Sequence, residues 1–217
     1  MEKLYLNLGC GDTAPDGWVN CDSSWHAQAS KVPGLHRLLE AMGLASGARW
    51  PKNIQYLSLA RRFSWASGSV DCVYASHVFE HLSARVAENL MKESHRILKT
   101  GGVLRVVVPD LLYHARKYVS SWSDTRSGAE EFLTVTHLRL PEERSLIRRM
   151  YGLIMDYPNL HKNMYDEVTL REVFVRHGFT EIRSAQYGVS HYIDAIRSVE
   201  ARTDGYEGSL YLEALKP

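Results

Sequence analysis

Gly9 and Gly11 stand at the end of a short apolar run, Leu4 to Leu8, and Asp22 closes a second run that begins at Trp18. Glycines at the carboxyl end of a strand let the backbone turn sharply and approach a bound molecule. An aspartate ending the neighbouring strand can accept both hydroxyl hydrogens of a ribose. Four histidines, His77, His81, His137 and His161, are candidates for moving a proton near neutral pH. His161 lies in the polar link Asn159 to Tyr165, where loop residues positioned by a scaffold often carry chemistry. His81 follows Glu80 at the start of a helix, where it either holds that terminus or lines a site. His77 can reach either a cofactor or a substrate.

These residues depend on elements that the sequence also outlines. Short apolar runs alternate with helical periodicity, the pattern of an α/β sheet. Leu4 to Leu8, Trp18 to Asp22, Ile54 to Leu59 and Val70 to Ala75 read as strands. Ser83 to Leu98 reads as a helix capped by Ser83 and stopped by Gly101 and Gly102. The β-branched run Val103 to Val108 is a central strand. Residues 26 to 48 hold one or two modest helices, and Leu111 to about Tyr165 reads as helices and loops. A further helix starts at Asp166 or Thr169, the latter at capping-box spacing from Glu172, and ends at His177-Gly178. Glu181 to Tyr187 and Ser209 to Leu215 are closing strands. Residues 1–217 thus form one domain. The stretch 111–165 is too short to bury a core of its own, which makes it a helical lid over the sheet.

Composition excludes several classes. Lys and Arg total 26 against 25 Asp and Glu, a net charge of +1, without the basic excess of a dedicated nucleic-acid binder or of a polybasic membrane-surface protein. No run approaches the length of a bilayer-spanning helix, and the N-terminal residues lack the pattern of a signal peptide. The cysteines, Cys10, Cys21 and Cys72, are odd in number and have no Cys/His zinc spacing, so neither a disulfide nor a metal is expected. A cytoplasmic location follows as an expectation.

Four blocks in order carry a resemblance. Leu6-Asn7-Leu8-Gly9-Cys10-Gly11 resembles the first motif of class I S-adenosylmethionine-dependent methyltransferases. Gly68 to Leu82 resembles the fourth-strand region of the type-11 branch. Glu93 to Asp110 resembles its following helix and fifth strand, and Tyr165 to Phe179 the helix before its sixth strand. The resemblance implies a Rossmann-like class I methyltransferase sheet, mostly parallel, with an antiparallel strand near the C-terminus and a helical insert after the fifth strand. It implies S-adenosyl-L-methionine as cofactor. Asn7, Gly9, Cys10 and Gly11 would pass beside its methionine end, Asp22 would hold the ribose, and Ser58, Leu59 and Ala60 would flank the adenine. Ser76, His77 and His81 would face the methionine part and the transferred methyl group.

The sequence departs from the family in two places. The first two strands are too close for the usual helix, since a parallel crossover takes about a dozen residues or more. The connection is therefore a short irregular loop, or the second strand is displaced. Ser58 occupies the place where many relatives carry an aspartate.

The expected activity is O-methylation of a small-molecule or saccharide hydroxyl in glycan or secondary-metabolite biosynthesis. His161 and His77 are the candidate catalytic residues, and the expected state is monomer or homodimer. The alternatives are an inactive methyltransferase-fold interaction module and a nicotinamide-dependent oxidoreductase. The segment from Gly9 satisfies G-x-G-x-x-A, but Asp12 to Gly17 is turn sequence where that fingerprint requires a helix.

Overall fold

Aliphatic and β-branched runs build the centre of the sheet, and the two longest become its middle strands. The computed structural model describes residues 3–24, 27–28, 31–32, 34, 50–122, 128–139, 160–200 and 207–217. Its strands are β1 (Tyr5–Leu8), β2 (Val19–Asp22), β3 (Ile54–Tyr56), β4 (Val70–Ser76), β5 (Leu98–Pro109), β6 (Thr180–Ala185) and β7 (Ser209–Leu215). The helices are α1 (Ala84–Ile97), α2 (Leu111–Ser121), α3 (Ala129–Val135), α4 (Glu167–Arg176) and α5 (Ile196–Glu200), and a 3-10 turn covers Phe79–His81.

The strands lie in the order β3-β2-β1-β4-β5-β7-β6, with β7 antiparallel to both β5 and β6. Strands β1 to β5 run parallel to one another. This is the class I methyltransferase arrangement expected above. It differs from the 3-2-1-4-5-6 order of a dinucleotide-binding sheet, and no helix follows Gly11, so the nicotinamide alternative loses its structural basis.

Alternation divides the core between the two faces of the sheet. Leu6, Leu8, Val73, Ala75, Leu104, Val106 and Leu212 share one buried cluster with Leu90 and Met91 of α1 and Leu170 and Phe174 of α4. On the other face Cys72, Tyr74, Val107 and Tyr211 pack with Trp18, Ile193, Ile196 and Val199. Arg105 projects among these residues with no exposure. Its guanidinium donates to Glu200 at 2.9 and 3.1 Å and to Glu213 at 3.0 Å, and both carboxylates are equally buried. Further bonds to the carbonyls of Gln186 and Val189 fix the chain between β6 and α5 against this face.

The β1–β2 connection resolves the first departure from the family. It is an irregular loop, and β2 keeps its place beside β1. Buried Asn7 donates to the Thr13 carbonyl and to Asn20 Oδ1, while Asn20 donates to the carbonyls of Pro15 and Trp18. Two side-chain amides thereby satisfy loop carbonyls that a helix would have satisfied internally. Trp18 turns from this loop onto Tyr5 and Tyr74 and donates its indole N–H to Ser198. The large side chain covers the face of β1 and β4 where no crossover helix passes.

Several boundaries differ from expectation. The third strand stops at Tyr56. Its continuation, Leu57 to Ala60, leaves the sheet because Asn89 of α1 draws in the carbonyls of Leu59 and Arg61. Ser83 precedes α1 but makes no side-chain capping bond; its carbonyl accepts from Val86 and Ala87. The capping box of α4 pairs Asp166 with Thr169, a turn earlier than Thr169 with Glu172. Most of residues 26–48 lies outside the described residues, as do the parts of the insert at 123–127 and 140–159. Among the described residues, no helix is long and apolar enough to cross a membrane.

The segment after β3 is clamped to α1 by a second pair of residues. Glu93 accepts from the Phe63 amide at 2.7 Å and from Arg96, which in turn donates to the carbonyls of Phe63 and Trp65. The Arg96 bonds, helped by the Phe63 amide and opposed by burial, hold the Glu93 carboxyl below its usual range. A depressed folded-state pKa stabilises above the ordinary glutamate value and loses that contribution as pH falls through the folded value. Glu93→Gln should therefore lower stability by about 1–3 kcal/mol at pH 7. In denaturant titrations run from pH 7 to pH 3, the difference from wild type should shrink below about pH 4.5; a constant difference would contradict this account.

Candidate active site

The carboxyl ends of β1, β2 and β4 meet at one edge of the sheet. Gly9 and Gly11 take positive φ values of 64° and 55° directly after β1. A Cβ on Gly9 would lie 2.3 Å from Val78 Cγ2, so the loop after β4 closes on this glycine. Among the described residues, a Cβ on Gly11 would meet no atom within 4 Å, so the backbone there is open to approach. Asp22 Oδ2 accepts from the Gly11 amide at 2.9 Å and Oδ1 from the Ser24 amide at 2.6 Å. Two backbone donors thus orient the carboxylate, which has about four acceptor positions in all.

The remaining residues expected around a cofactor separate by role. Asn7 spends both side-chain donor bonds on the β1–β2 loop. Cys10 is buried beside Ala27 and Ile54, and burial with the Asp22 charge pushes its thiol up to about 12. Cys21 and Cys72 are also free and buried. Ser58 and Leu59 are half-buried and Ala60 exposed in the segment beyond β3, where the Leu57 amide donates to the Asp22 carbonyl. Ser76 ends β4 half-buried, level with Val107 of β5.

Beyond Ser76 the chain turns through His77, which has a φ of 52°. Left-handed backbone at a non-glycine residue stores strain of order 1–3 kcal/mol and is common at functional sites. The turn is held by its neighbours: the His77 amide donates to the Val107 carbonyl, Nδ1 meets Glu80 Oε1 at 3.1 Å, and Nε2 meets Ser209 Oγ at 3.2 Å. Glu80, in the 3-10 turn, has no exposure. Its carbonyl accepts the amides of Lys162 and Asn163, and Asn163 donates from its side chain to the Leu82 carbonyl. These bonds dock the far end of the insert on the end of β4.

Docking brings all four candidate histidines to one place. His161 stacks edge-on against His81 with centroids 4.7 Å apart, and the tilted His137 ring lies 5.0 Å from that of His161. His161 Nε2 is 4.0 Å from Glu80 Oε1, and its side chain is only 5% exposed. Burial, with the neighbouring histidines, outweighs the pull of Glu80 and holds the His161 imidazole down to about 4. It is therefore neutral at physiological pH. His81 Nδ1 lies 3.0 Å from the Leu160 carbonyl, to which it donates, so its Nε2 carries the free lone pair. The sequence reading missed Glu80, whose importance comes from burial that no local pattern displays. The signal available was its place between His77 and His81 on a single turn.

The comparisons agree with this geometry. Residues 6–106, a little under half of the chain, match the type-11 family described as "Methyltransferase domain". Residues 6–106 are a methyltransferase domain. The family implies S-adenosylmethionine as methyl donor. No curated protein matches significantly in sequence. Among solved structures, an S-adenosylmethionine-dependent methyltransferase from Methanosarcina mazei aligns with a TM-score of 0.51 at 15% identity, over 100% of this chain and 93% of that one. A chain from the Haloferax volcanii complex of the Trm112 methyltransferase activator with a proposed methyltransferase aligns at 0.50 and 15%, over 100% and 83%. At such identities these structures speak for the fold alone. The family match ends within β5, so His137 and His161 lie beyond it.

The contact between the two loops gives a local test. In Gly9→Ala, left-handed backbone and the Val78 clash should each cost about 1–2 kcal/mol. The Gly9→Ala/Val78→Ala double variant should lose less stability in chemical denaturation than the two single losses summed. Strict additivity would mean that the loops do not touch.

Proposed function

We propose that this protein transfers a methyl group from S-adenosylmethionine to a hydroxyl of a small molecule or saccharide. The observation that carries the reading is the neutral, buried His161 beside Glu80 and His77, at the strand end adjoining the glycine loop. The residues at the loop fit the cofactor. Gly11 leaves room for close approach, and Asp22 retains acceptor capacity for two ribose hydroxyls beyond its bonds to Gly11 and Ser24. Ser58, Leu59 and Ala60 would flank the adenine, and Ser76 and His77 would face the methionine portion. Asn7, fully engaged within the loop, acts as a positioning residue. When bound, S-adenosylmethionine supplies an electrophilic methyl carbon on sulfur.

The chain's own task is alignment and proton removal. A hydroxyl is a weak nucleophile and gains from a base, typically 10²–10⁴-fold. His161 Nε2 or Nδ1 can accept its proton because the ring is unprotonated, and Glu80 stabilises the imidazolium that results. His77, fixed by Glu80 and Ser209, orients the acceptor or assists the transfer. His161 and His137 come from the insert, which supports reading residues 111–165 as a lid that helps select the acceptor within a single domain 1–217. Of its aromatic residues, Phe132 packs on Tyr118 and Trp122 is exposed, while Tyr151 and Tyr157 lie outside the described residues. The near-zero net charge and the three free buried cysteines support a neutral acceptor and a cytoplasmic setting. The same reading takes the protein as a monomer or homodimer that binds neither nucleic acid nor a bilayer interior.

Two measurements test it. Calorimetric titration should show that wild-type protein binds S-adenosylhomocysteine and that Asp22→Ala binds roughly 10–100-fold more weakly, the loss of charge-assisted hydrogen bonds. Folded wild-type protein that ignores millimolar ligand would end the proposal. With a panel of hydroxylated acceptors, His161→Ala should keep cofactor affinity while turnover drops at least about 100-fold. Undiminished turnover at saturating acceptor would remove His161 from the chemistry.

A further inference from the structure

Glu80 presents an unsolved electrostatic problem. A carboxylate without access to water is costly unless a cation compensates it. Its ion-pair partners among the described residues are imidazoles, His77 at 3.1 Å and His161 at 4.0 Å. Among the described residues, Glu80 Oε2 is buried without a hydrogen-bond partner, and so is His161 Nδ1. Two buried polar atoms of one cluster that face no donor or acceptor among the described residues call for a partner.

The geometry says what kind of partner. One ligand atom each from Glu80, His81 and His161 lies within 4.8 Å of the others. Bonds of about 2.0–2.2 Å to a tetrahedral ion place ligand atoms roughly 3.4 Å apart. A closure of about an ångström or a little more, shared among three side chains, would complete the site. His81 is already oriented as metal-bound histidines are, with Nδ1–H donating to the Leu160 carbonyl and Nε2 left free. The Glu80 carbonyl, by accepting the Lys162 and Asn163 amides, locks the segment carrying His161 against the turn carrying the other two ligands.

We propose that Glu80, His81 and His161 bind one divalent first-row transition ion. Two imidazoles and a carboxylate suit zinc, cobalt, manganese or iron, whereas magnesium and calcium prefer all-oxygen shells. Three protein ligands leave open positions, the arrangement of a catalytic site rather than a structural one. The ion supplies the positive charge that Glu80 lacks and does so with neutral imidazoles. Its place at the end of β4, beside His77, fits a Lewis acid for the methyl acceptor; this role rests on the methyl-transfer reading, whereas the site itself rests on geometry alone. A hydroxyl bound to the ion loses its proton to water more readily. Its oxygen then bonds to the methyl carbon as the carbon–sulfur bond breaks, and the electron pair of that bond stays on sulfur. In this state His161 is a ligand, and direct proton acceptance by its ring belongs to the metal-free protein.

The sequence has no Cys/His pairs at short zinc spacing to mark such a site. Here two ligands are adjacent in sequence and the third comes from the far end of the insert.

The test uses the full chain, stripped with chelator and dialysed, then titrated with zinc and with cobalt. Wild type should bind one ion per chain, and the cobalt form should show the intense visible d–d bands of a four- or five-coordinate site. Glu80→Gln and His81→Ala should weaken binding by at least about 100-fold, more than loss of a supporting contact costs. Thermal unfolding, measured on the same samples, establishes that each variant is folded. Should Glu80→Gln fail to fold, His161→Gln serves in its place. Wild type that binds S-adenosylhomocysteine but no ion overturns the metal site and leaves His161 as the base. Ion binding insensitive to both substitutions also overturns it. Stoichiometric ion binding by protein that ignores S-adenosylhomocysteine would keep the site and sink the methyltransferase function.

Discussion

The buried Glu80 carboxylate is the constraint around which the candidate site is organised. It sits where the central strand β4 gives way to a 3-10 turn, and the same residue holds partners through both backbone and side chain. Its carbonyl receives the chain returning from the insert, and its carboxylate faces imidazoles from both sides of that return. Strain at His77 is tolerable because Val107, Glu80 and Ser209 over-determine its position. Loss of the charge at Glu80 would therefore unsettle the His77 and His161 rings together.

A second constraint shapes the cofactor side. The β1–β2 connection is too short for a helix, and Asn7 and Asn20 replace the missing internal hydrogen bonds while Trp18 replaces the missing apolar cover. The compensation is local, so the register between β1 and β2 keeps Gly11 against Asp22. On the same face of the sheet, Arg105 and its two glutamates secure the chain between β6 and α5. A buried ion pair of this kind contributes more to the choice of one packing than to net stability.

Much of the fold was legible in the sequence because strand and helix periodicities are local. The run from Val103 to Val108 identifies a central strand by its β-branched residues, and Ser209 to Leu215 appears in the structure with the same limits. Third-strand length was misread because Ile54 to Leu59 keeps large apolar residues at its start and end, while the strand's limit is set by Asn89, a residue on another element. The glycine loop and Asp22 were legible since their spacing is short. The proximity of His161 to His81 was not, because it depends on backbone bonds between Glu80 and residues 162 and 163. Arg105 within an apolar strand likewise makes sense only once Glu200 and Glu213 are placed beside it. Sequence pattern exposes residues that act through neighbours in the chain and conceals those that act through charge brought from afar.

Two loops and one histidine cluster thus define a single edge of the sheet on which donor and acceptor can meet. The claim at the centre of this account is that the methyl carbon is delivered between them. A crystal structure of the protein with S-adenosylhomocysteine measures that directly. The account predicts the ribose hydroxyls on Asp22 and the sulfur directed toward His77 and His161. A ligand seated elsewhere, or one whose sulfur points away from the cluster, would contradict it.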